Sequence, residues 1–167
     1  MREIPLTQGK VAIVDDADYE RINQFKWHAV FDGYNWYASR KIDTPNGRRC
    51  FRMHNAIAPP PPGCKWDHDD RNGLNNQREN LRLSTHTQNM RNSFHSRSNR
   101  SGFKGVSWKK KLNKWVAQIQ TGKTATSHGV KYLGLFTDKV QAALAYDEAA
   151  ILYHGQFACT NAKLGLL

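Results

Sequence analysis

The sequence predicts an α+β fold: a β-rich N-terminal region leads into a short strand–loop–strand–helix core, and a three-stranded antiparallel sheet packed on one helix follows. Three observations predict it. Asp32-Gly33 and Asn46-Gly47 are turn pairs set between stretches in which aromatic and polar residues alternate, the period of half-buried hairpin strands. Within residues 66–92 a polar, Asn-rich loop separates two short strands, and a short helix begins near Thr85, with Ser84 or Thr85 placed to cap it. Beyond Ser101, three short runs rich in β-branched and aromatic residues precede an Ala-rich stretch bounded by helix stop and start signals.

Taken in order, residues 3–14 give one or two strands broken at Gln8-Gly9-Lys10. Residues 15–25 read as a helix, because acids come first and Tyr19, Ile22 and Phe25 follow at helical spacing. Residues 27–37 form one hairpin, and residues 37–41 and 49–53 form the next. The aromatics Phe25, Trp27, Tyr34, Trp36 and Tyr37 are expected in a core. His54, following Met53, either approaches a functional centre or packs as a structural histidine. Pro59 to Pro62 can neither continue a helix nor donate to a sheet, so they make a stiff connector, with an SH3-type ligand as the alternative use. A first domain therefore spans residues 1–92, with its core at about 53–92, and residues 93–100 form a basic, aperiodic linker. In the second domain, 101–163, strands are expected at 104–108, 114–119 and 131–136. Its helix runs from Asp138 to Tyr153, capped by Thr137 and ended at Gly155. Ala142, Ala143, Ala145, Ala149 and Ala150 let it lie close to the sheet.

The chain has 167 residues, with 25 Lys and Arg against 14 Asp and Glu, a formal net charge of +11. A polyanionic partner is expected, and double-stranded DNA is the one inferred. Between Glu79 and Asp138 there is no acidic residue at all. That interval reads as a phosphate-binding track, carrying Arg82, Arg91, Arg97, Arg100, Lys104, Lys109, Lys110, Lys111, Lys114, Lys123 and Lys131. No apolar run is long enough to span a membrane, and none after Met1 resembles a secretory segment. Cys50, Cys64 and Cys159 form no C-x-x-C pair, which argues against a structural zinc and for a reducing cytoplasm.

The chemistry sits in residues 66–92. Hydrolysis of a phosphodiester needs an activated water and a charge to stabilise the leaving oxygen. Asp67 and Asn89 offer oxygen ligands suited to a hard ion, Mg²⁺ or Mn²⁺. His68, next to Asp67 but on the other side of its strand, can take a proton near neutral pH. Asn80 ties the loop together and orients His68. His86 and Asn89 share one helix face. With Asp67-His68, Asn75-Asn76-Gln77-Arg78-Glu79-Asn80-Leu81-Arg82 and Thr85-His86-Thr87-Gln88-Asn89 in this order, the stretch resembles the HNH nucleases of the phage and intron homing-endonuclease branch. The three letters fall on His68, Asn80 and Asn89. The resemblance implies a ββα-metal core, His68 as general base, Asp67 and Asn89 as ligands of one metal, and Asn80 as orienter. It also implies a phage-infected or bacterial host cell. Two positions depart from the family's pattern: Asp69 stands where an apolar residue or Lys is usual, and Arg71 where Gly is usual. Asp69 adds a negative charge expected to raise the pKa of the base.

The second domain carries Gly105-Val106, Lys114-Trp115-Val116-Ala117, Tyr132-Leu133-Gly134-Leu135-Phe136, Ala142-Ala143-Leu144-Ala145-Tyr146-Asp147 and a closing Asn161. It resembles the plant ethylene-response-factor, or Apetala-type, DNA-binding domain. That family reads the major groove with sheet arginines, whereas Lys, Ser and Gln stand here. Along residues 114–120, Trp115, Ala117 and Ile119 should face the helix, leaving Lys114, Val116, Gln118 and Gln120 on the outer face. Lys104, Ser107, Lys109 and Tyr132 should join that face, Lys111 should sit on a turn, and Arg97 and Arg100 should follow phosphates or enter a minor groove. The expected protein is a metal-dependent DNA endonuclease, acting as a monomer on one strand per binding event, with no protein partner implied. A non-catalytic DNA-binding regulator on the same scaffold is the alternative, and an RNA-binding module a third reading.

Overall fold

The computed structural model describes residues 1–93, 99–122 and 129–167. The chain is α+β throughout and forms two compact units, Met1–His86 and Thr87–Leu167. The division therefore falls inside a helix, six residues before the expected end of the first domain at Asn92. Arg97 and Lys123 lie outside the described residues.

In the first unit, β1 (Arg2–Pro5) pairs antiparallel with β2 (Val11–Val14) across a 3-10 turn at Thr7–Gly9. Helix α1 (Asp16–Asn23) follows, then an antiparallel sheet of β3 (His28–Phe31), β4 (Trp36–Thr44) and β5 (Gly47–Arg52). Both expected hairpins form, with Asp32 accepting from the backbone N–H groups of Tyr34 and Asn35 in the first turn. Met53 closes no strand. It opens a short helix, α2 (Met53–Ile57), which ends before the prolines. β6 (Cys64–His68) and β7 (Leu81–Thr85) then make a two-stranded ribbon. The Ser84 hydroxyl donates across that ribbon to Lys65 O at 3.1 Å.

Ile4, Ala12, Val14, Ile22, Trp27, Ala38, Met53, Ile57 and Leu81 form this unit's core. Of the five aromatics expected there, only Trp27 is buried. Phe25 and Tyr34 are exposed at 39% and 58%, while Trp36 and Tyr37 are half-buried. Phe25 lies beyond the end of α1, under the Arg40 guanidinium at 3.7 Å, so helical spacing does not carry it inward.

The second unit begins within α3 (His86–Arg91) and contains β8 (Val106–Lys109), β9 (Lys114–Gln120) and β10 (Val130–Phe136), with β9 central. Helix α4 (Lys139–His154) packs on this sheet through Ala142, Ala143, Ala149 and Ala150, as its composition predicts. Its cap is Asp138, whose carboxylate accepts from Val140 N at 3.0 Å, and not Thr137. Gly155 ends it at φ 55°. Asp147 accepts from Asn161 N, Asn161 Nδ2 and Ala162 N, and Asn161 in turn bonds both backbone groups of Lys104, which ties the C-terminus to the start of the sheet.

Gly105 has φ +76°, and a Cβ there would lie 1.9 Å from the Tyr146 ring. Gly105→Ala should therefore cost the second unit about 3 kcal/mol, from overpacking and left-handed strain together. Gly102→Ala, with φ +81° but open space around it, should cost only about 1 kcal/mol of strain. Urea unfolding of the two variants measures the difference, and equal losses would contradict this packing.

Candidate active site

The centre is built on the β6–β7 ribbon, where Asp67 pairs with Arg82 and His68 with Leu81. Asp67 and His68 are 6% and 5% exposed. Burying a carboxylate requires compensation. Arg82, directly across the ladder, supplies it with Nε and Nη2 at 2.9 and 2.8 Å from Asp67 Oδ2. Its Nη1 reaches Asp69 Oδ1 at 2.7 Å. Asp69 is thus paired with Arg82. The carboxylates that raise the His68 pKa are Asp70 and Asp67, and burial outweighs them to leave it below the usual imidazole value. The ring is neutral at pH 7 and able to accept a proton.

Asn80 ties the loop as expected. Its backbone C=O accepts from Asp69 N at 2.9 Å, its Oδ1 from Asp70 N at 3.0 Å, and its Nδ2 donates to Asp70 Oδ1 and Asn75 O. The side chain that orients His68 is instead Asn76, 1% exposed, whose hydrogen bond with the imidazole favours the protonated ring. Asn76 is itself fixed from outside the ribbon. Its N–H donates to Ile13 O, Ile13 N donates to Leu74 O, both at 2.8 Å, and its Nδ2 donates to Leu74 O. Next to it, Arg78 N and side chain bond Asp15 and the buried Asp18 on α1. Gly73 lets the loop reach β4: a Cβ there would stand 2.5 Å from Trp36 O and from the Tyr37 ring.

His54 of α2 is the second histidine of the centre, edge-on to His68 with ring centroids 5.2 Å apart. Tyr37 stands 5.9 Å from His68 and 6.3 Å from His54, beneath the Arg52 guanidinium at 3.8 Å. Burial, with the charges of His68 and Arg52, pushes the His54 pKa down to about 3. His54 is therefore a neutral wall of the site. Sequence reasoning left its role open, did not single out Asn76, placed Tyr37 in the core, and put Arg82 on the phosphate-binding track, whereas Arg82 is paired with Asp67 and Asp69. Only Arg82 carried a signal, since it lies on the strand opposite Asp67.

Asn89 lies half-buried on α3, in the second unit, and His86 is exposed. Among the described residues no three His, Cys, Asp or Glu side chains form a metal-binding group. The Asp67 carboxylate and the Asn89 amide are hard oxygen donors of the kind a water-rich Mg²⁺ or Mn²⁺ site uses. Each donor's chemistry suits such an ion, Asp67 on the first unit and Asn89 on the second.

On the second unit's sheet, Trp115, Ala117 and Ile119 face α4, and Gln118, Gln120, Lys114, Ser107, Lys109 and Tyr132 are exposed. Val116 is the exception on the outer face, 8% exposed on the central strand, paired with Ser107 and Leu135. Lys111 is on the β8–β9 turn, and Arg100 is exposed. Lys104 departs from the outer face: its ammonium donates to Arg91 O and Ser93 O. No family model, curated protein or solved structure matches the chain.

Two outcomes follow. Because His54 stays neutral when folded and takes a proton when unfolded, its contribution to stability is lost as pH falls from about 6.5 towards 3. Urea unfolding should show His54→Asn losing about 2 kcal/mol less than the wild type between pH 6.5 and pH 5. Arg82→Met, which strands the buried Asp67 carboxylate, should cost about 3–5 kcal/mol at pH 7.

Proposed function

We propose that the chain is a metal-dependent DNA endonuclease of the HNH, homing type, with its second unit serving as an Apetala-type DNA-binding module. The observation that carries this reading is the pair Asp67 and His68: adjacent on β6, nearly buried, and each held by its own partner, Arg82 and Asn76. A satisfied surface turn has no need to bury an ionised carboxylate beside a neutral imidazole. In the proposed reaction His68 takes a proton from the water that attacks phosphorus. Asn76 holds the ring in place, and Asn80 holds the loop that places Asp70 near it. Asp67 and Asn89 would hold Mg²⁺ or Mn²⁺, which when bound stabilises the leaving oxygen.

Charge distribution supports DNA as the substrate. The first unit has 13 Lys and Arg against 11 Asp and Glu, and the second has 12 against 3. Lys109 and Lys114 are direct partners across β8–β9. Like charges so placed destabilise a sheet, and a phosphate backbone offsets them. Gln118 and Gln120 would then read base edges and Lys111 would contact a phosphate. One observation favours the alternative of a non-catalytic DNA-binding regulator: Arg82 already satisfies Asp67.

Supercoiled plasmid incubated with Mg²⁺, with and without EDTA, separates the two. The endonuclease gives nicked or linear product that EDTA abolishes; an unchanged plasmid that is nonetheless bound identifies the regulator. Binding should weaken steeply with salt, and Lys111→Ala should reduce the slope of log K against log salt by about 0.9, the value of one phosphate contact.

A further inference from the structure

Arg91 and Lys104 lie in the acid-free interval, where a phosphate contact is the ordinary expectation, yet both side chains are committed elsewhere. The Lys104 ammonium donates to Arg91 O at 2.7 Å and to Ser93 O. These carbonyls belong to the end of α3, where the helix itself supplies no donors. Arg91 is the last residue of the same helix. Its Nη2 donates to Thr121 O at 3.2 Å, and a Cβ on Gly122 would lie 3.9 Å away. Thr121 and Gly122 directly follow β9. From α4, His154 Nε2 stands 2.7 Å from Gln120 O, and burial, followed by the charges of Arg91 and Lys104, holds its pKa below the usual imidazole value.

Lys104 is anchored too. Its N–H donates to Asn161 Oδ1 at 2.6 Å and its C=O accepts from Asn161 Nδ2, while Asn161 is 0% exposed and bonded to Asp147. Two side chains thus cross between the end of the helix bearing Asn89 and the framework of the sheet bearing Gln118 and Gln120. A solvated phosphate contact would leave the ammonium and guanidinium outside; here both residues are half-buried.

We propose that Lys104 and Arg91 are positioning residues, fastening the helix that carries Asn89 to the DNA-reading sheet, so that duplex DNA on β9 fixes the placement of a metal ligand. The inference rests on the endonuclease reading. Through these two side chains the end of α3 is bonded to Lys104 before β8 and to Thr121 after β9.

The test uses the full chain, a supercoiled plasmid for cleavage, and a phosphorothioate duplex of the cut sequence for binding. In Lys104→Met and Arg91→Met, duplex affinity should stay within about twofold and the salt slope should not change, while single-turnover cleavage falls about 10- to 100-fold. The Mn²⁺ concentration for half-saturation of the protein–duplex complex, read by electron paramagnetic resonance, should rise at least about fivefold, and Lys104→Arg should restore most of it. If Lys104→Met fails to fold, Arg91→Met and Lys104→Arg decide. Weaker duplex binding, with the slope reduced by about 0.9 and an unchanged Mn²⁺ midpoint, would make both residues phosphate contacts and overturn the proposal alone. A wild-type chain that binds duplex but never cuts plasmid would overturn the endonuclease reading and this proposal together.

Discussion

The buried ion pair between Asp67 and Arg82 is the constraint on which the first unit's centre depends. The two residues face each other across the β6–β7 ladder, so strand register alone brings them together. A one-residue slip would move Asp67 to the other face and leave Arg82 opposite His68. The pair lets an ionised carboxylate sit at 6% exposure, and the third arm of Arg82 takes Asp69, the extra acid next to His68. What looked from the sequence like a perturbation of His68 is absorbed by a guanidinium.

Everything between the two strands is arranged to keep that register while delivering Asn76 to the imidazole. Asp70, Asn72, Asn75 and Asn80 bond the loop to itself through short Asx contacts. Ile13 bonds it to β2, and Arg78 bonds it to Asp15 and Asp18. A loop this polar could not pack against the unit's core unless its groups were satisfied. Its asparagines are therefore structural bonds first, and their number is explained by how many donors and acceptors the loop would otherwise leave bare.

The legible part of the fold was that fixed by local chemistry. Turn pairs, alternation and the Ala-rich helix announced the hairpins, the C-terminal sheet and α4, because a turn or a periodic face is decided within a few residues. Asn80 was legible as the loop's tie for the same reason. Asn76 was not: its neighbours in sequence are also Asn and Gln, and what seats it includes the backbone of Ile13, more than sixty positions earlier. Phe25 and Tyr34 showed the limit of hydrophobicity as a guide, since a cation–π contact or a turn holds an aromatic at the surface as readily as a core holds it inside. Lys104 and Arg91 showed the limit of charge. A run of one sign marks a surface for an anion, but within it individual cations can be spent on helix-end carbonyls, and composition does not distinguish the two.

The central claim is that His68 acts only in the chemical step. Single-turnover plasmid cleavage and duplex affinity of His68→Ala, measured side by side with the wild type, test it most directly. The account gives a cleavage rate lower by about 10²–10⁴-fold with affinity nearly unchanged. Cleavage at the wild-type rate would contradict it.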